Sequence, residues 1–303
     1  MSSDLLNYAL AEMLIREKKL NDADEIVTRV LAKHKTAMIK SIRNRWLGLK
    51  VSTAKTQAEF FAALPREHAD VEMPPPIPNE GLKTASLLDT DYDDRLYHDF
   101  SNADLLALLS APNFPSGDKN RALKEKIFTR ALVMDDYDTA NKLGGDLAAE
   151  RATTKHLYER LKTDTTVEAK RITAALILVN TPELTTAVFD NKYIENYPGC
   201  DNSTEDPLKT CGSLPPNFMS ASSAAAAQKE QLILRKWRNG EDFLTTTLLA
   251  WAKLKPTDAE APKALHFLIT TKRVVGKPSR EAFQILHKNY PGSEWAKKTK
   301  YYY

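Results

Sequence analysis

Glycine is scarce in this chain: 10 of 303 residues, about 3% against an average near 7%. Sheet-rich folds and phosphate-cradling loops both use glycine freely, so its shortage favours helix. Cysteine is rarer still, with Cys200 and Cys211 alone. No apolar run approaches the roughly 18 residues a membrane helix needs, so no membrane span is expected. Neither sign of charge dominates: 43 basic and 40 acidic residues leave +3, too little to pull the chain onto nucleic acid or an anionic surface. The start also lacks a secretory pattern, since Asp4 and Glu12 interrupt the segment where a basic start and an unbroken apolar core would stand. Catalytic signatures are missing as well. There is no Gly-rich phosphate loop, dinucleotide fingerprint, Gly-x-Ser-x-Gly elbow or His-Glu-x-x-His, which leaves a non-catalytic chain without cofactor as the expectation.

What is present is helical periodicity, repeated. Residues 5–35 read as a helical hairpin, with Leu6, Leu10, Met13 and Leu14 on one inward face and Ile26, Val27, Val30 and Leu31 on the other. Asn21 or Asp22 is the expected cap between them. Ile39, Ile42, Trp46 and Leu49 continue the pattern, followed by Phe60, Phe61 and Leu64. Met73-Pro74-Pro75-Pro76-Ile77-Pro78 is not compatible with helix and reads as a stiff linker. The division expected is 1–72 as an N-terminal helical unit, 73–81 as the linker and 82–303 as the main domain.

Beyond the linker, Asp89, Asp91 and Asp93 imitate a calcium loop, but Asp94 stands where Gly is required and Phe100 where Glu is required. A solvated acidic connection, with no metal, is the reading. Ser101-Asn102-Ala103-Asp104 is a capping box ahead of a short helix. Residues 118–149 form the strongest hairpin, with Leu123, Ile127, Ala131 and Met134 on one stripe and Tyr137, Ala140, Leu143, Leu147 and Ala148 on the other. Asp135-Asp136 turn the chain between them. Helices follow at 154–161 and 168–180, then at 224–238, 241–254, 260–275 and 280–289. Leu244, Leu248, Trp251 and Leu254 make an apolar stripe that places Trp251 in the core.

The last hairpin ends at Tyr290-Pro291-Gly292-Ser293, after which Glu294, Trp295 and Ala296 begin a further helix. That step, together with the small residues Ala11 and Ala23 twelve apart, resembles tetratricopeptide-type repeats, especially those of bacterial cell-envelope proteins. Asn7 stands where such repeats carry a large aromatic residue. The resemblance implies an all-α fold, a right-handed superhelix of antiparallel helical hairpins (an α-solenoid), serving as a scaffold or adaptor for a protein or peptide. It equally admits the non-catalytic portion of a larger envelope enzyme, such as one acting on cell-wall glycan.

Residues 195–222 interrupt the helical rhythm as a Pro-rich insertion holding both cysteines. Cys200 and Cys211 enclose ten residues with no other cysteine to compete, which points to a local disulfide and an extracytoplasmic, for instance periplasmic, location; free thiols in a cytoplasmic protein are the alternative. Trp237, flanked by Arg235, Lys236 and Arg238, is the candidate partner-binding residue, with Arg235 and Arg238 beside it. His266 and His287 stand where they can approach each other across the terminal hairpin, as structural rather than ligating histidines. Trp295 and the final tyrosines are expected to cover the end of the last helical pair.

Overall fold

The computed structural model describes residues 2–34, 38, 40–63, 100–111, 117–181, 183–184, 218–237, 241–270 and 279–302. Every regular element among them is a helix, and no strand occurs among the described residues. The fold is all-α, and the described helices alone cover more than half of the chain.

The chain forms two compact units, each drawn from two stretches: 1–119 with 193–228, and 120–192 with 229–303. This grouping differs from the division read in the sequence, whose linker at 73–81 lies outside the described residues.

In the first unit, α1 (Ser2–Arg16), α2 (Leu20–Lys33) and α3 (Lys40–Thr53) pack on one another in all three pairings, and α4 (Gln57–Ala63) packs on α3. Their core is Ala11, Ile26, Val27, Val30, Trp46 and Leu49, with Tyr8 edge-on to Trp46 at 5.3 Å. Ala11 and Ala23 are fully buried, and side chains this small let helices approach closely. The inward face of α1 is corrected by this arrangement. Leu6, Leu10 and Met13 are exposed, and Tyr8, Ala11, Leu14 and Ile15 point inward instead. Apolar residues surround α1, so its sequence carries two competing stripes, and packing selects the one containing the small residue. Ile42 is likewise exposed, whereas Trp46 and Leu49 are buried as expected.

The α1–α2 turn is also corrected. Helix α2 starts at Leu20 with Lys19 as N-cap and no side-chain cap, because Lys18 takes a left-handed φ of 60° and the Lys19 N–H donates to Leu14 O at 2.8 Å. The turn is thus closed by backbone, leaving Asn21 and Asp22 inside the helix.

Asp24, buried on α2, accepts from Lys50 Nζ at 2.6 Å and from Thr53 Oγ1 at 3.0 Å, with Lys55 Nζ at 3.4 Å. Burial alone would raise its pKa, but the bonds from Lys50 and Thr53 and the Lys50 charge together outweigh it, holding the carboxyl below its ordinary range. Ser101 and Asp104 form the expected capping box at the start of α5 (Asn102–Leu109). Phe100 precedes it in a ring cluster with Phe60 of α4 at 5.3 Å and Phe218 at 6.3 Å, and Phe60 lies 5.6 Å from Phe218.

The second unit holds most of α6 (Asp118–Val133), then α7 (Tyr137–Ala149), α8 (Lys155–Thr163) and α9 (Val167–Asn180). It also holds the later part of α10 (Ala221–Lys236), followed by α11 (Glu241–Leu254), α12 (Ala261–Thr270), α13 (Arg280–Asn289) and α14 (Glu294–Lys298). Thr173 to Val179 are all buried, so α9 is enclosed on every side over two turns. It packs against α8, α11 and α12. The expected stripes of α6 and α7 are buried, except for the half-buried Met134 at the end of the first.

Gly144 sits where α7 meets two stacked rings, Phe128 of α6 and Tyr158 of α8, 5.5 Å apart. A Cβ there would touch both rings at 3.4 and 3.5 Å. Its neighbour Gly145 is exposed and a Cβ would meet nothing within 4 Å. Gly145→Ala is therefore expected to stabilise the unit by about 1 kcal/mol, the helix-propensity difference, read as a higher midpoint in urea unfolding.

Trp251 is in the core with Leu244 and Leu248, as expected, but Leu254 is exposed at 69%. It is the last residue of α11, where the chain turns off at Lys255-Pro256. Ser279 and Ser293 cap α13 and α14, accepting from Ala282 N and Ala296 N, both at 3.1 Å.

Candidate functional site

Trp237 follows the last residue of α10 and is half-buried. Its N–H donates to Leu234 O at 3.1 Å and its carbonyl accepts from Asp242 N at 3.2 Å, so backbone bonds hold it on both sides. Phe243, near the start of α11, meets its ring edge-on at 5.7 Å. Two cations stand near the ring. The Arg171 guanidinium lies 5.8 Å from the ring centre and Lys236 Nζ 5.7 Å.

Arg171, on α9, is fixed from a second direction. Its Nε donates to Asp135 Oδ1 at 3.0 Å and its Nη2 to Asp135 Oδ2. The Tyr137 hydroxyl donates to the same Oδ1 at 2.7 Å. Asp135 holds this position because the α6–α7 turn places it at φ 61°, a left-handed conformation that Asp tolerates better than most residues. Asp136 N closes the turn on Ala131 O at 2.9 Å, and the Asp136 side chain caps α7 by accepting from Thr139 N at 3.2 Å.

Burial, then the bond to Asp135, raises the Tyr137 pKa well above the ordinary tyrosine range, so its hydroxyl stays a donor. The bond to Asp135, against the opposing effect of burial, likewise raises the Arg171 pKa. Lys170 adds a further cation, 5.6 Å from the centre of the Tyr137 ring. Neither Lys170 nor Lys236 has a carboxylate partner among the described residues.

No protein-family model, curated protein or solved structure matches the chain. Its chemistry rests on its own residues. The cluster joins an aromatic platform to a rigid guanidinium and two uncompensated ammonium groups, an arrangement suited to holding an anionic, partly apolar ligand. Among the described residues no three His, Cys, Asp or Glu side chains come together as a metal requires. No helix among them is long and apolar enough to cross a membrane.

Of the residues singled out by sequence, Trp237 is thus placed in the cluster. Arg235 falls within α10 but its side chain is outside what is described, as is Arg238 altogether. Cys200, Cys211 and the Asp89–Asp93 stretch also lie outside the described residues. Sequence reasoning missed Asp135, Tyr137 and Arg171 as a group. The available signal was Asp135-Asp136 at a tight turn, where side chains tolerant of left-handed backbone are few.

His266 and His287 meet through a third residue. Thr299 Oγ1 donates to Trp295 O at 2.8 Å, so it accepts from His266 Nδ1–H, and its carbonyl accepts from His287 Nε2–H at 2.7 Å. Trp295 lies 5.1 Å from His266, with Lys298 at 4.3 Å and Lys263 at 5.9 Å from its ring, and Tyr302 is 5.8 Å from Phe283.

Burial, and secondarily the Lys298 charge, pushes the His266 pKa below its ordinary 6.5. As pH falls through 6.5 the unfolded chain takes up a proton that the folded chain refuses until lower pH, so stability is lost over that window. Thermal melts from pH 7.5 down to 5.5 should show a falling midpoint in the wild type and a smaller fall in His266→Asn. An equal fall in both would remove His266 as the cause.

Proposed function

We propose that the chain is a non-catalytic helical-repeat scaffold that binds a protein or peptide partner. Its helices stack as antiparallel hairpins, and the partner docks over Trp237. The reading is supported by one observation above all. A half-buried tryptophan, held by backbone bonds and by Phe243, is flanked by Arg171 and Lys236, and tryptophan and arginine are the residues that most often anchor interfaces. The successive packing of α1 with α2 and α3, and of α11 with α12 and α13, suits a stack in which each helix buries its face against its neighbours. We place the protein outside the cytoplasm, in a bacterial envelope, on the pairing of Cys200 with Cys211. Thiol titration of the unreduced, denatured chain after extracytoplasmic expression would remove that placement by finding two free thiols.

Selection from a random dodecapeptide display library against the whole chain is the direct test of docking. Wild type should enrich peptides that lose at least about tenfold in affinity to Trp237→Ala, the loss of roughly 1.4 kcal/mol or more expected of an anchor residue. Circular dichroism of the variant confirms that it remains folded. Peptides that bind Trp237→Ala and wild type equally would place docking elsewhere.

A further inference from the structure

Arg171 is only partly used. A guanidinium has five N–H donors in a fixed plane, and Asp135 occupies the side formed by Nε and one hydrogen of Nη2. The end formed by Nη1 and the second hydrogen of Nη2 is a separate fork, equally able to receive a carboxylate through two parallel bonds. Nη1 makes no hydrogen bond among the described residues, and the side chain is 32% exposed.

Its direction is already set. Asp135 grips one edge, the guanidinium carbon stands 5.8 Å from the Trp237 ring centre, and Tyr137 donates to Asp135 in turn. A ligand meeting this group has little side-chain entropy to remove, so each bond contributes more than it would on a mobile arginine. The electrostatics favour an anion. Lys170, Arg171 and Lys236 supply three positive charges around the two aromatic rings, against Asp135, which pairs with Arg171, and Glu168, which acts on it more weakly.

From this open fork we infer that the partner's anchoring group is a carboxylate on an acidic peptide segment, received end-on by Arg171, with Lys170 and Lys236 engaging neighbouring acidic residues and Trp237 covering an adjacent apolar side chain. The inference rests on docking at Trp237 and specifies what docks. A peptide is favoured over nucleic acid because the cations are few and confined to one place on a chain of net charge +3, short of a strip that tracks a phosphate backbone.

The test uses the whole chain, the peptides selected as above, and a twelve-nucleotide oligouridylate. Wild type should enrich peptides richer in Asp and Glu than the unselected library, and their Gln and Asn counterparts should bind about tenfold more weakly, as for the loss of one charge-assisted bond. Lys170→Gln/Lys236→Gln should lower affinity for the acidic peptides and flatten its salt dependence. Arg171→Lys keeps the charge but loses the fork, and should also weaken binding about tenfold. Thermal melts of both variants show that the fold is kept. Peptides that depend on Trp237 but show no acidic bias overturn the inference and leave the docking reading in place. Enrichment of no peptide overturns both, and tighter binding of the oligouridylate than of any peptide assigns the site to nucleic acid.

Discussion

Arg130→Met should destabilise the second unit by about 3 kcal/mol, and adding Glu230→Leu should restore most of the loss. Arg130 is fully buried on α6, and its Nη2 donates to Glu230 Oε2 at 2.8 Å. Methionine fills nearly the same volume, so the single change mainly takes a buried cation away from the Glu230 carboxylate, whose side chain is only 21% exposed. Desolvation of two charges offsets most of what their attraction contributes, which is why replacing both by apolar groups is far milder than replacing one. Urea unfolding of the two single variants and the double variant gives the coupling directly, with amide exchange in α6 as the local readout. A double variant as unstable as the sum of the singles would show that the pair is not the source.

The second large effect is expected at Trp251. Trp251→Ala should cost about 3–5 kcal/mol, because a side chain 1% exposed among Leu244 and Leu248 leaves a cavity that the packed helices fill only in part. Three residues on, Leu254→Ala should change stability by less than about 0.5 kcal/mol, since its side chain already faces water. Trp251→Phe should fall between them. It keeps most of the volume and removes an indole N–H that is buried without an acceptor among the described residues. Equal effects at 251 and 254 in urea unfolding would contradict this division of the helix.

The same pair shows what periodicity can and cannot reveal. Leu244, Leu248, Trp251 and Leu254 are equivalent in a helical pattern, and only the turn at Lys255-Pro256 separates the last from the rest. Helix α1 failed in a related way, because a helix apolar all round offers more than one inward face. The cap at Ser101 was legible, because a single side chain and a backbone N–H three residues away make the whole device. So were the α6 and α7 stripes, where polar residues mark the outward side. The site was legible only through Trp237 and its basic neighbours in sequence. Arg171 and Asp135 are 36 residues apart, and no local pattern brings them together. Packing of the second unit does.

The ring cluster of Phe60, Phe100 and Phe218 imposes an order on events during synthesis. Its third member leaves the ribosome 118 residues after the second, on the order of ten seconds later at ordinary elongation rates. Throughout that interval the two earlier phenylalanines lack the ring that completes their contact, while α6 to α9, which belong to the other unit, have already been made. The earlier unit therefore completes this cluster only after the first stretch of the later unit has been made, and a nascent chain halted before residue 218 would present sticky aromatic surface to whatever holdase or neighbouring polypeptide is at hand.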